Sequence, residues 1–340
     1  MIQHRLIAID LTKAFAIFCV IMGHVLQWTF PGDPYAESCA FQFIYAFHMP
    51  LFMALSGYFI IRSFERPFLY FLKHRAVRLL LPVISFAVFY LPIKYIFNGL
   101  PDHLLQDITD YLLGGDLWFL KYLFVNSIIV YLSKRLLRND LLALLPTILL
   151  FFFTRSGIFR LLPYVWLGYF LFKHEVWLST HRRIVVITFG ALFAFFLTAW
   201  HGSFDAPLRF LFLKPTWYFD TANTWAVFIR LGVGITGSTF FIQLFLMFES
   251  FFREWKVTAR LVSIGQHTLG IYALQLYILE HGLTDHLPMQ LNLWWAIGAQ
   301  FLIAIGVLIV CEWIARLMAS NQITALLFLG TLPKTTLNNK

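Results

Sequence analysis

The chain has 340 residues, is 60% hydrophobic and only 13% charged, and has a mean hydropathy of +0.74. A soluble domain of that composition would lack the polar surface to cover itself, so the chain reads as an integral membrane protein. Its net charge of +9 does not point to nucleic acid, because the Lys and Arg residues punctuate apolar runs instead of forming one basic face.

A helix needs about 20 apolar residues to cross a hydrocarbon core about 30 Å thick. On that criterion the sequence predicts an all-α polytopic membrane protein with about ten transmembrane helices. They fall at 6–28, 40–61, 77–97, 117–133, 141–153, 159–173, 184–200, 226–248, 264–281 and 293–315. The fifth and sixth are short enough to be tilted, broken or re-entrant. The first is too long for a signal h-region and shows no small-residue cleavage site before Trp28, so it reads as a retained span. With the N-terminus taken as cytoplasmic, the inner loops and termini hold eighteen Lys and Arg and the outer loops four. That asymmetry predicts both termini in the cytoplasm. The outer loop 98–116 carries four aspartates and no Lys or Arg, and the outer loop 201–225 is rich in aromatic residues. Residues 1–318 read as a single transmembrane domain and 319–340 as a cytoplasmic tail, with a short interfacial helix around Ile323 to Leu329. Cys19, Cys39 and Cys311 form no CxxC pattern, so neither a disulfide framework nor a metal site is expected.

Polar side chains inside spans mark the candidate site, since they face a bundle interior or a wet cavity. Lys13 and His24 are eleven residues apart, about three turns, and so share one helical face with Asp10 close to it. His24 stands roughly 27 Å along the axis from Leu6, in the outer half of the bilayer. The stretch "FHMPLFMALSGYF" in the second span places His48 roughly 12 Å below its outer end, at a depth similar to His24. Lys94, Lys121, Arg230 and Glu280 fall near the outer ends of their spans and read as a polar mouth. Bland readings compete with these. A lone intramembrane His is often a packing hydrogen bonder, Lys and Arg snorkel, and Glu312 has Arg316 one turn away as an ion-pair partner. On position alone Arg75 and Arg78 read better as ordinary positive-inside punctuation.

The combination resembles the acyltransferase-3 family of bacterial membrane acyltransferases. The first span reads "RLIAIDLTKAFAIFCVIMGH", the second "FHMPLFMALSGYF", and the third opens "HRAVRLLLP", an Arg-x-x-Arg motif followed by Pro. "LWFLKYLFV" with Trp118 opens the fourth and "LGIYALQLYIL" fills the ninth, so the resemblance covers the whole chain. It implies an enzyme of the bacterial inner membrane moving an acetyl group from cytosolic acetyl-CoA to a hydroxyl of an envelope glycan or lipid-linked sugar. No cofactor is bound permanently. His24 is then the expected catalytic residue, with His48 beside it. Lys13, Arg75, Arg78, Ser56 and Tyr58 are assigned to the donor and its oxyanion, and Asp10, Trp118 and Glu312 support them. Lys13 stands where the family more often has Arg, and Gln275 stands where relatives commonly have His, which leaves that position without an assigned role. Pro50 and Gly57 are expected to break or thin the second helix so that His48 and Ser56 line an acyl channel. The alternatives are a small-molecule exporter, or succinyl in place of acetyl transfer.

Overall fold

A computed structural model describes residues 2–29, 38–153, 157–200, 221–279 and 293–332, and among them there is no β-strand. Five helices are long and apolar enough to cross a membrane, and their qualifying segments are Ile7–Gln27, Cys39–Ile60, Phe68–Ile96, Trp225–Met247 and Ile297–Ser320. They match the first, second, third, eighth and tenth predicted spans. Full helices α1 (Ile2–Thr29), α2 (Cys39–Ile60) and α3 (Phe68–Asn98) follow one another at the start of the chain. The third begins nine residues before its predicted start at 77, so the whole Arg-x-x-Arg motif lies within the helix, more than a turn past its start.

The remaining predicted spans correspond to shorter helices. The fourth is α5 (Trp118–Leu136), preceded by α4 (Leu104–Leu113); the two pass as one span only across a 56° bend. Leu117 makes that bend, a buried non-glycine residue at φ 47°. The fifth falls on α6 (Asp140–Ala143) and α7 (Leu145–Phe153), the sixth on α8 (Leu162–Lys173), and the seventh on α10 (Arg182–Thr198), after the short α9 (Glu175–Thr180). The long α11 (Thr221–Met247) leads through α12 (Glu249–Arg253) to the ninth predicted span, which is split into α13 (Thr258–Gln266) and α14 (Thr268–Ile278). The split lies at His267, whose ring Nδ1 bonds the Ser263 carbonyl at 2.8 Å. The chain ends in α15 (Leu293–Ser320) and α16 (Gln322–Leu329).

α1 and α2 form the centre of the bundle: 78% and 72% of their membrane segments are buried, against 33% for α3 and 28% for α15. An aromatic cluster locks the middle. Phe15 of α1 stacks on Phe47 of α2, and both meet Phe241 of α11 at 4.8 and 4.3 Å. α8 lies against α2, α10 against α11, α13 to α15 against α1, and α16 against α3 and α15. Two seams are closer than ordinary helix packing. A Cβ on Gly57 of α2 would stand 2.0 Å from the Val165 carbonyl oxygen, and one on Gly168 of α8 would stand 1.8 Å from that of Ala54. A Cβ on Gly265 of α13 would stand 2.0 Å from the Asp10 oxygen of α1. Small residues at such points let backbones touch, which is how membrane helices associate without a hydrophobic driving force.

α2 runs unbroken through Pro50, which corrects the expectation of a helix opened at that residue. Gly57 does thin the helix, but the space is filled by α8. On the surface, α4 is held by Asp107, which accepts from Lys94 Nζ at 2.8 Å and from the Tyr95 hydroxyl at 2.8 Å. The Lys94 and Tyr95 hydrogen bonds hold the Asp107 carboxyl below the usual carboxylate range.

Candidate active site

The stripe expected on α1 is organised by its neighbours at two levels. At the first, Lys13 Nζ bonds Asp10 Oδ1 at 3.0 Å and lies 5.3 Å from the centre of the Phe59 ring of α2. Asp10 is also 3.4 Å from Gln266 Nε2 at the end of α13, an approach that Gly265 makes feasible. The ion pair is therefore enclosed between α2 and α13. Lys13 keeps a quarter of its side chain exposed.

Three turns further along α1 lies the second level. Gly23 abuts the Tyr45 ring of α2, so His24 comes beside the α2 residues that follow. His48, buried at 3% exposure, packs edge-on to Tyr45 with ring centres 4.8 Å apart. The two imidazoles are electrostatic neighbours, as similar depth on consecutive helices predicts. His48 Nδ1 is 2.7 Å from the Ile44 carbonyl. A carbonyl oxygen only accepts, so His48 carries its proton on Nδ1 and its lone pair on Nε2. His24 is partly buried, and its Nδ1 lies 3.0 Å from Oε1 of Gln275 on α14. Sequence reasoning set Gln275 aside because it departs from the family pattern. The signal available was a lone amide inside the apolar run "LGIYALQLYIL".

The other expected residues lie apart from this pair. Arg75 and Arg78 stand one turn apart on α3, with the Arg75 guanidinium over the Phe71 ring at 5.6 Å. Neither has a carboxylate partner among the described residues. Ser56 is partly buried on α2, between the levels of His48 and Phe59. Tyr58 leaves α2 on another side, with its ring 4.9 Å from Phe172 of α8. Trp118 packs on Tyr122 one turn along α5 at 4.9 Å. Glu312 pairs with Arg316 at 2.9 Å and accepts from Ser263 Oγ at 2.8 Å. Of the expected mouth, Lys94 is bound to Asp107, Lys121 to the carbonyls of Tyr111 and Gly114, and Arg230 stacks on Trp200 at 5.7 Å. Glu280 and most of the loop 201–225 lie outside the described residues.

A helical membrane protein with a part-buried acid–base stripe and two neighbouring imidazoles on its central helices has the equipment for proton transfer inside the bilayer. The comparisons agree with that class. The acyltransferase-3 family model, described as an acyltransferase domain, matches residues 6–316, and the chain belongs to that family. It is similar to the nodulation protein NolL of Mesorhizobium japonicum, 26% identical over 80% of this chain and 76% of the relative. It is also similar to the nodulation protein NolL of Sinorhizobium fredii, 35% identical over 35% of this chain and 34% of that one. No solved structure matches. The protein is an integral-membrane O-acyltransferase.

Proposed function

We propose that the enzyme moves an acetyl group from cytosolic acetyl-CoA to a hydroxyl of an envelope glycan or lipid-linked sugar at the outer face of a bacterial inner membrane. The observation that carries this reading is the pair of guanidiniums on α3. Arg75 and Arg78 are held on one helix with no carboxylate partner among the described residues, which suits a multiply charged phosphate ligand such as the nucleotide end of CoA. In this reading ten spans cross the membrane with both termini cytoplasmic, and residues 1–318 form the catalytic domain with a tail beyond. The arginines then sit towards the cytosol and His24 towards the outside.

The pantetheine arm enters past Lys13 and brings the thioester to His24. His24 accepts the proton of the sugar hydroxyl at its lone-pair nitrogen. The sugar oxygen attacks the thioester carbonyl to form a tetrahedral oxyanion. Lys13, three turns from His24 on α1, and Tyr58, packed against Phe172 of α8, stand away from it, which corrects their expected role as its donors. Collapse breaks the carbon–sulfur bond, and the proton held by His24 goes to the departing CoA thiolate. His48 sits beside this centre, while Asp10, Trp118 and Glu312 support the helices around it. No resident cofactor enters the scheme.

The test uses membranes containing wild type or His24→Ala in matched amounts, with acetyl-CoA labelled in the acetyl group. Label should enter envelope glycans with the wild type and not with the variant. Equal transfer by both removes His24 from the mechanism. No transfer by either, followed by transfer from succinyl-CoA, changes the donor.

A further inference from the structure

We infer that Gln275 is the positioning residue for His24, fixing its tautomer and ring orientation so that Nε2 is the basic nitrogen. The inference rests on the proposed role of His24 and deepens it. Gln275 is fully buried, and both ends of its amide are engaged. Its Nε2 donates to the Tyr272 carbonyl one turn earlier on α14, at 3.3 Å. That bond sets the amide orientation, because a carbonyl cannot pair with the amide oxygen. Oε1 is therefore the atom 3.0 Å from His24 Nδ1. An amide oxygen only accepts, so the bond requires the proton on Nδ1 and leaves the lone pair on Nε2.

The arrangement has the logic of an oriented base: a nitrogen that must take a proton is prepared by an acceptor on the opposite nitrogen. Here the acceptor is neutral. A carboxylate in its place would also hold the tautomer, but it would stabilise the imidazolium. An amide orients the ring without adding that charge. His48 on α2 faces the same region and is itself fixed with its proton on Nδ1 by the Ile44 carbonyl. On α14 the titratable side chains nearest Gln275 in sequence are Tyr277, whose hydroxyl pairs with that of Tyr111, and Tyr272, one turn from Gln275, whose hydroxyl accepts from the Phe119 amide. The Asp10–Lys13 pair lies three turns away along α1.

The experiment measures initial rates of labelled acetyl transfer in membranes across pH for wild type, Gln275→Leu, Gln275→Glu and His24→Ala, each matched for protein amount. Gln275→Leu keeps bulk but removes the acceptor. It should lower kcat by roughly 10²-fold, the lower end of what general-base catalysis contributes, with KM for acetyl-CoA unchanged. Gln275→Glu should retain activity, with the acidic limb of its pH–rate profile moved to higher pH by about one unit. A simple packing role would not move that limb. Wild-type kcat and an unmoved limb in both Gln275 variants, with His24→Ala inactive, overturns the inference and leaves the role of His24 standing. Equal losses in both with an unmoved limb also overturn it, because Gln275 is then a packing residue. Wild-type transfer by His24→Ala removes the reading on which the inference rests.

Discussion

Arg75 and Arg78 are the residues whose surroundings argue most directly for a ligand. Arg75 is half-buried and Arg78 exposed on α3. A guanidinium taken partly out of water, as that of Arg75 is, costs free energy unless an anion or a ring partner replaces its hydration. Phe71 serves Arg75 in part, and the described chain supplies no carboxylate to either arginine. Each charge-assisted hydrogen bond to a phosphate contributes about 1.5–3 kcal/mol, or roughly 10- to 100-fold in affinity. Arg75→Ala and Arg78→Ala should therefore each raise the KM for acetyl-CoA by about that factor while leaving kcat at saturating donor near the wild-type value. Arg→Lys at either position should recover only part of the loss, since an ammonium lacks the planar fork. A fall in kcat with KM unchanged would place the arginines in structure and not in donor binding. The residues differ sharply in how readable they were. The relation of Lys13 to His24 follows from eleven positions on one helix, so spacing alone reveals it. The bond between His24 and Gln275 joins residues 251 positions apart, and no local period carries that information. Only the placement of α14 beside α1 shows it.

At the scale of elements, apolar run length revealed the five long helices, because crossing a fixed thickness imposes a length that any window can measure. The shorter helices were less legible. Their ends are set by single residues with special geometry, such as Leu117 at positive φ and His267 bonding back to its own helix, and neither interrupts the hydropathy. Gly57 stood out in the sequence as an anomaly, but its purpose was hidden because its partner is the backbone of α8. The seam makes a prediction of opposite signs. Gly57→Ala and Gly168→Ala drive a methyl group into a carbonyl oxygen and should each destabilise by about 1–3 kcal/mol or more, as overpacking does. Gly298 and Gly306 on α15 have open space where a Cβ would be added. Alanine there should be neutral or stabilising by about 0.5–1 kcal/mol, the gain from removing a helical glycine. Thermal unfolding in detergent compares the four, and a seam variant as stable as the α15 variants would contradict the close approach.

For the whole molecule the burial order constrains how substrates reach the stripe. The two most buried of the five long helices carry His24 and His48. His48 is buried and His24 keeps part of its surface exposed, so the pair is approached from the His24 side. The proposed division, donor from the cytosol and acceptor from outside, depends on which way the bundle faces. The chain contains its own reporter of that orientation. Cys39 is exposed at the start of α2, the end of that helix nearest His48, while Cys19 and Cys311 are buried. If both termini are cytoplasmic, Cys39 opens to the periplasmic side. A membrane-impermeant maleimide should then label wild-type protein in cells with a permeabilised outer membrane and an intact inner one, and Cys39→Ser should abolish the signal. Labelling that appears only after the inner membrane is lysed would invert the bundle. It would place Arg75 and Arg78 away from cytosolic acetyl-CoA, and the donor site would have to be sought at the end where Cys39 lies.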